Sequence, residues 1–312
     1  MNKKMKVVAS TLIVSSMLTL CSFADYSEGR ELSLYGAYEA KASPIGFERY
    51  EYTTNKVSNK SIWAHTRLKL VMNRKELSTD ARLINGVPYV ALRSFIGELG
   101  NMSVTYRSDT RTMSISGNGL VMDVIDGSNV IYANGRTLFS MSPSTIMTNG
   151  RMYSPISEIS KALGLKFSHT AGAGINITGS VKAIESGSTF YDKDAVYWLS
   201  RIISAESRGE SLLGQIAVGN VVLNRVKSPL YPNTIWGVIF DRKYGVQFSP
   251  VLDGSVYSTP AQSAVVAAKI CLDGYNITNS ALFFLHPKYS TSSWIPNNRD
   301  YLFTIGKHDF YA

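Results

Sequence analysis

A short pattern occurs twice in this chain, and its recurrence limits how the N-terminal half can fold. Asn85-Gly86-Val87-Pro88-Tyr89-Val90-Ala91-Leu92, followed by Leu99-Gly100, returns as Asn149-Gly150-Arg151-Met152-Tyr153-Ser154-Pro155-Ile156, followed by Leu163-Gly164. The offset is 64 at every paired position. Asn-Gly suits a tight hairpin turn because both central residues need positive φ. Each copy then reads as a short strand, a helix closed by Gly100 or Gly164, and a further strand at 103–106 or 166–169. A strand-rich piece, 120–139, links the copies. The two pseudo-repeats are read as one α/β module over 66–180.

What precedes the module is targeting sequence and spacer. Lys3, Lys4 and Lys6 form a basic start, 7–20 an apolar run, and Ser22-Phe23-Ala24 a small-x-small cleavage site before Asp25. Such a run is too short to span a bilayer, which takes about 20 residues. A signal peptide over 1–24 and secretion are therefore expected. A lipoprotein signal would use Cys21, but Leu20 is bulky where those signals want a small residue. Residues 25–65 are polar without sustained period and read as a spacer.

Charge and cysteine content narrow the partners. Lys+Arg 32 against Asp+Glu 23 gives +9, and loss of the three leader lysines leaves +6. No basic stripe is concentrated in either half, so nucleic acid is excluded as a partner. A mildly basic secreted chain suits an anionic polymer such as a cell wall. Once Cys21 leaves with the leader, Cys271 stands alone, without a disulfide, and reads as a small buried hydrophobe in an Ala/Val-rich helical run.

Beyond a linker at 181–190 the texture turns helical. Asp192 or Asp194 caps a helix with Ala195, Val196, Leu199, Ile202 and Ile203 at helical spacing. A second helix is expected over 210–226, ending at Ser228-Pro229. A short third helix follows over 234–240, capped by Asn233. A fourth opens at Thr259-Pro260, with Thr as N-cap, and stops at Gly274. Strands at 302–305 and 309–311 form a hairpin candidate, with 281–285 beside them.

Glu206 is the most informative side chain. It follows Ile202 and Ile203 by four and three positions, so it leaves the apolar stripe near the helix C-terminus. Desolvation and the electronegative helix end both favour the protonated carboxyl. A Glu protonated near neutral pH is what general-acid cleavage of a glycosidic bond requires. The alternative is a structural Glu paired to Arg208 or Arg201.

Two resemblances extend these readings. Residues 66–180 resemble the copper amine oxidase N-terminal-like stalk domain of secreted Gram-positive proteins, which implies a spacer or wall-binding role. The segment's only histidine is His169, and one imidazole is no copper ligand set. Further on stand Ser204-Ala205-Glu206-Ser207-Arg208-Gly209-Glu210, Gly214-Gln215-Ile216-Ala217-Val218-Gly219-Asn220-Val221-Val222-Leu223-Asn224-Arg225-Val226, Gln247-Phe248-Ser249-Pro250-Val251-Leu252-Asp253-Gly254 and Ile305-Gly306-Lys307-His308. Together they resemble the spore cortex-lytic, SleB-type cell wall hydrolases over 191–312. That resemblance implies an α+β protein whose catalytic domain is lysozyme-like and mainly helical with a small β-hairpin. It also implies lytic transglycosylation of peptidoglycan, with the catalytic glutamate on Glu206. The chain departs from the family at Ser207, where Ala is commoner, and at Phe284-Leu285-His286-Pro287, where aromatic-aromatic-Asn-Pro is usual.

The remaining site candidates follow. Gln247, Phe248 and Ser249 lie in one loop as candidate substrate-binding residues, and Trp294, Tyr289 and Tyr301 are candidates to stack on sugars. Asp253 lines substrate, acts as a second carboxylate, or serves turn chemistry. Asn224 is either a buried scaffold group or a cleft group. Glu210 reads as structural, beginning the next helix, and His308 as a hairpin residue. Most glycosidases use two carboxylates, so a single acid/base implies that the substrate's own N-acetyl group and C6 hydroxyl do the rest. No His-Glu-x-x-His, Gly-x-Ser-x-Gly or phosphate-binding loop is present, and no metal or cofactor is implied. The expected partner is the glycan strand of peptidoglycan, in cortex or cell wall, cut between MurNAc and GlcNAc to leave 1,6-anhydro-muramic ends. The expected setting is spore germination, and an accessory germination protein is left unidentified. The alternatives are a non-catalytic peptidoglycan-binding protein and a water-using muramidase of the same fold. The helical half is expected to cleave without the N-terminal module.

Overall fold

The computed structural model describes residues 66–312, apart from 142–144, 173, 244 and 291–292. The expected signal peptide and spacer lie outside the described residues. The chain is mixed α and β.

The N-terminal half runs β1 (Arg67–Leu68), β2 (Leu70–Met72), β3 (Lys75–Glu76), β4 (Ala81–Ile84), β5 (Val87–Ala91), α1 (Leu92–Leu99), β6 (Ser103–Arg107), β7 (Thr112–Gly117), β8 (Leu120–Ile125), β9 (Val130–Ala133), β10 (Arg136–Phe139), β11 (Ile146–Thr148), β12 (Arg151–Pro155), α2 (Ile156–Ala162), β13 (Lys166–Thr170) and β14 (Gly174–Thr178). Both repeated Asn-Gly pairs turn with positive φ at each residue: 50° and 81° at Asn85-Gly86, 46° and 70° at Asn149-Gly150. The equivalent strands of the two copies, β5 and β12, then pair antiparallel inside a sheet ordered β1-β4-β5-β12-β11. Tyr89 and Tyr153, equivalent in the repeat, are both fully buried. The repeat is thus a local twofold, each copy covering the other's central strand. A meander, β10-β9-β8-β7-β6, makes a second sheet, and β13-β14-β2-β3 a third.

The C-terminal half runs α3 (Gly187–Phe190), α4 (Lys193–Ser207), α5 (Leu212–Lys227), α6 (Ile235–Ile239), α7 (Pro250–Asp253), α8 (Gln262–Leu272), β15 (Phe283–Leu285), α9 (Trp294–Asn298), β16 (Tyr301–Ile305) and β17 (His308–Tyr311). Asp192 caps α4, accepting from the Ala195 N–H at 2.7 Å. The three closing strands form one sheet, β15-β17-β16, as their pattern suggested. Helices α4, α5 and α8 meet at Gly219, where a Cβ would stand 2.8 Å from both Cys271 Sγ and Ile203 Cδ1. Cys271 is buried there, its thiol pushed up by desolvation.

Three helix starts differ from the expectation. Ser211, not Glu210, precedes α5, and its side chain accepts from the Gly214 N–H. Glu210 therefore lies outside the helix and instead accepts from the Lys307 N–H at 3.0 Å, fastening the terminal hairpin. Thr234 caps α6 in place of Asn233. Ala261 rather than Thr259 precedes α8, and its N–H is taken by Ser204 Oγ of α4 at 2.9 Å, so a neighbouring helix does the capping.

The stretch 181–190 is docked, contrary to its reading as a linker. Lys182 and Ile184 donate to the carbonyls of Leu163 and Ala162. Gly187 donates to Asn134 O, and a Cβ on it would come 2.5 Å from Gly135 O. The halves also share a buried charge cluster. Asp273, after the last residue of α8, is on the wrong side of the helix dipole for an anion. It receives the Arg136 fork at 3.0 and 2.5 Å, Lys161 Nζ at 2.7 Å and the Tyr191 hydroxyl at 2.7 Å. Phe139 of β10 packs edge-on against Tyr275 and joins the C-terminal core. The N-terminal half is therefore more than a spacer: it neutralises a carboxylate of the helical half.

Burial alone would raise the Asp273 carboxyl, but hydrogen bonds from Arg136, Lys161 and Tyr191 outweigh it and hold it below the ordinary range. A carboxyl depressed in the native state stabilises fully above its unfolded value, about pH 4, and loses that contribution as pH falls through the lower native value. Removing one partner of a buried pair leaves an uncompensated charge, at a cost of about 3–5 kcal/mol. With Lys161 and Tyr191 still on Asp273, Arg136→Ala is expected to lower stability by less than that, about 1–3 kcal/mol, in denaturant titration at neutral pH. Its loss of stability on acidification should be shallower than that of the unaltered protein.

Candidate active site

Helix α4 delivers Glu206 one residue before its end. Leu199, Ile202 and Ile203 of the same helix are fully buried, which fixes the rotation of the helix and leaves Glu206 half-buried. The residues beside it are occupied elsewhere. Ser207 Oγ turns back to donate to Ile203 O at 2.7 Å. Arg201, one proposed partner of Glu206, lays its guanidinium 3.5 Å over the Tyr197 ring, and Arg208 is exposed.

Three influences set the acidity of Glu206. Burial raises it most, the nearby Asp253 carboxylate raises it further, and Arg225 opposes both; the carboxyl is pushed up to about 7. Arg225 is the residue that the motifs contain and the sequence argument gave no role. It is buried in α5, donates to Leu282 O at 2.7 Å and to Gln247 Oε1 at 3.3 Å, and lies 5.1 Å from the Phe248 ring and 5.4 Å from Phe283. An arginine on a helix face otherwise apolar was the available signal.

Asp253 is exposed and its Oδ1 accepts from the Ser255 N–H at 2.8 Å, closing the turn after α7. Its hydrogen bonds from Ser255 hold it below the ordinary carboxylate range. It is thus an anion with a turn-forming role that acts on Glu206 through space. Gln247 is half-buried and bridges Arg225 to Gly245 O. Ser249 is exposed and opens α7.

Two expected substrate contacts are corrected. Phe248 is 2% exposed and packs in the core beside Phe284, with no ring face open to a sugar. Asn224 is 4% exposed; its amide donates to Thr278 O and Ala281 O while its carbonyl accepts from Asn276 Nδ2. Its polar capacity is spent on holding 276–281, which selects the scaffold reading. Trp294 fares differently: it is 51% exposed, stands edge-on to Phe283, and shares the Arg299 guanidinium with it. Tyr289 and Tyr301 are exposed as well.

Sequence reasoning also missed an aromatic surface beyond Asp253. Tyr257, in the 3-10 turn that Asp253 initiates, and Trp236 are both more than half exposed, and Phe240 lies between them with Trp198 beneath. His308 sits buried in β17, its imidazole lowered chiefly by desolvation, as a hairpin residue. Among the described residues no group of three His, Cys, Asp or Glu side chains gathers as a metal site would.

Comparison with known proteins adds the following. Residues 209–311 match the Cell Wall Hydrolase family, and residues 71–175 match the Copper amine oxidase N-terminal domain. A segment of 120 residues is 40% identical to the spore cortex-lytic enzyme of Bacillus cereus, covering 38% of this chain and 45% of that protein. It is 36% identical to the spore cortex-lytic enzyme of Bacillus subtilis, covering 38% of each. Among solved structures, the catalytic domain of the germination-specific lytic transglycosylase SleB from Bacillus anthracis is 38% identical, covering 41% of this chain and 100% of that one, at a TM-score of 0.36. The match spans less than half the length of the curated relatives. Over that segment the chain is homologous to the spore cortex-lytic enzymes, with a cell wall hydrolase match at 209–311 and a copper amine oxidase N-terminal-like match at 71–175. Glu206 lies three residues before the matched hydrolase segment begins.

Because Asp253 raises Glu206, removing its charge should lower the Glu206 pKa below about 7. Asp253→Asn keeps an oxygen for the Ser255 N–H, so the turn should survive. The check is a carbon-13 NMR titration of the Glu206 carboxyl; an unmoved midpoint would show that Asp253 does not act on it.

Proposed function

We propose that this chain is an exported peptidoglycan lytic transglycosylase, that its helical half is lysozyme-like, and that Glu206 is its sole acid/base. The observation that carries this is one carboxyl held at about 7 on an apolar helix face, where both of its protonation states are reachable near neutral pH. The homology to spore cortex-lytic enzymes supports peptidoglycan as the substrate and spore germination as the setting.

The chemistry follows from that position. Protonated Glu206 donates to the oxygen leaving C1 of muramic acid, and the C1–O bond breaks toward the departing N-acetylglucosamine. The substrate's own N-acetyl group stabilises the positive charge on C1. Glu206, now a carboxylate, accepts the proton of the C6 hydroxyl as that oxygen bonds to C1. The 1,6-anhydro ring closes and Glu206 is protonated again, with no water consumed. Asp253, tied to Ser255 on the exposed side, keeps Glu206 protonated for the first step. Arg225 limits the rise, so that the carboxyl still gives up its proton in that step. Gln247 holds Arg225, and Trp294 offers a face for a sugar ring.

Glu206→Gln keeps the side-chain shape but cannot donate or accept that proton. It is expected to cut the rate of wall solubilisation by about 10²–10⁴-fold while the thermal midpoint holds. Mass spectrometry of released muropeptides should show ends lighter by one water than hydrolysed ends. Cleavage should decline as pH rises through about 7, where the free carboxyl ionises. Reducing, water-added ends would replace this mechanism with a muramidase that uses Asp253. An unimpaired Glu206→Gln protein would remove Glu206 from the chemistry, and a chain that clears no wall at all would be a peptidoglycan-binding protein instead.

A further inference from the structure

We propose that the N-terminal half holds a carboxylate-binding site that grips the stem peptides of peptidoglycan, in a cavity of about 660 Å³ lined by Arg67, Arg82, Arg93 and Arg151 around Asp80. The identity of the ligand rests on the peptidoglycan reading above. The charge imbalance of the cavity does not.

The imbalance begins in the sheet register. Arg67 of β1 and Arg82 of β4 stand directly opposite each other, and like charges in that position destabilise a sheet. Asp80 lies between them, but its capacity is largely used. Arg82 takes both oxygens, at 2.8 and 3.2 Å, and the Tyr153 hydroxyl donates to one of them at 2.8 Å. Arg67 and Arg151 reach Asp80 only at 3.9 and 3.7 Å, with side chains 69% and 58% exposed. Arg93, whose Nη1 donates to Val104 O, brings a fourth cation to the wall. Glu98, the next acid, is committed to the Ser78 and Thr79 N–H groups. Four guanidiniums thus face one carboxylate, and Arg67, Arg93 and Arg151 are all exposed to solvent.

A guanidinium fork matches a carboxylate through two parallel N–H···O bonds, and Arg is preferred over Lys for that reason. The cavity lies within the size of sites that enclose a small ligand. Met113 and Met152, both buried in the core, close its floor. Peptidoglycan carries free carboxylates on its peptides in each repeat. A grip on the peptides leaves the glycan strand for the helical half.

The test is cosedimentation of the full chain, on ice, with walls stripped of phosphate polymers by acid. The same walls after amidation of their carboxyls form the second arm, and unstripped walls the third. Arg67→Ala/Arg151→Ala should bind stripped walls about tenfold more weakly than the unaltered chain. The unaltered chain should lose a similar factor on amidated walls, where the variant loses nothing more. Lys75→Ala/Arg107→Ala removes as much charge from exposed positions outside the cavity and should bind as the unaltered chain does. Arg67→Lys/Arg151→Lys should recover binding only in part, and thermal midpoints check that each variant is folded. Equal binding by the arginine variant would overturn the proposal, as would equal weakening by the control pair. Retention that needs the phosphate polymers instead of the carboxyls would assign the cavity to those polymers and overturn it too. Wall solubilisation on warming is scored separately: arginine-dependent binding without solubilisation refutes the catalytic reading alone, and the reverse refutes only this one.

Discussion

The geometry of the helical half depends on how closely three helices approach at Gly219. A Cβ there would collide with Cys271 Sγ on one side and Ile203 Cδ1 on the other, so hydrogen is the largest substituent that the contact admits. Each helix of that contact leads to a residue that matters at or near its C-terminal end. Helix α4 passes through Ile203 to Glu206, α5 through Gly219 to Arg225, and α8 through Cys271 to Asp273. Close packing transmits small displacements instead of absorbing them. A wedge at Gly219 would shift the acid, the cation that moderates it, and the carboxylate that joins the halves together.

In the proposed mechanism, that arrangement would let a single carboxyl be an acid in one step and a base in the next. Desolvation alone would make Glu206 an acid that gives up its proton reluctantly, and exposure alone would leave it ionised and useless as an acid. The helix buries it, Asp253 adds a like charge from a turn on the surface, and Arg225 offsets both from beneath. The three come from separate elements, so the balance is a property of the tertiary structure. Gln247 contributes at one remove by occupying an Arg225 N–H.

Much of the framework was legible in the sequence because it is local. The 3.6-residue period marked α4 and put Glu206 at the edge of its apolar face, and Asn-Gly marked both hairpin turns of the repeat. What the sequence concealed depends on distant neighbours. Phe248 looked like a loop aromatic, yet it is buried by Phe284 from a strand 36 positions on. The start of α8 looked like Thr259-Pro260, but Ser204 of another helix supplies the cap. Asn224 could equally have faced a cleft, and only the fold of 276–281 around it shows its bonds to be spent. The arginine cavity was hidden most completely, since its charges are scattered from position 67 to position 151 and meet only through strand pairing.

The docked stretch before α3 has a mechanical meaning. Gly187 lies so close against Gly135 that no side chain fits between them, and the Asp273 cluster closes the joint a short way off. An enzyme on a slack tether sweeps a sphere around its anchor; one on a stiff bracket sweeps an arc. The two halves of this protein are joined as a bracket. Under the proposed function, whatever the N-terminal half grips would be offered to Glu206 at one bearing, and the next cut would wait for that grip to be released.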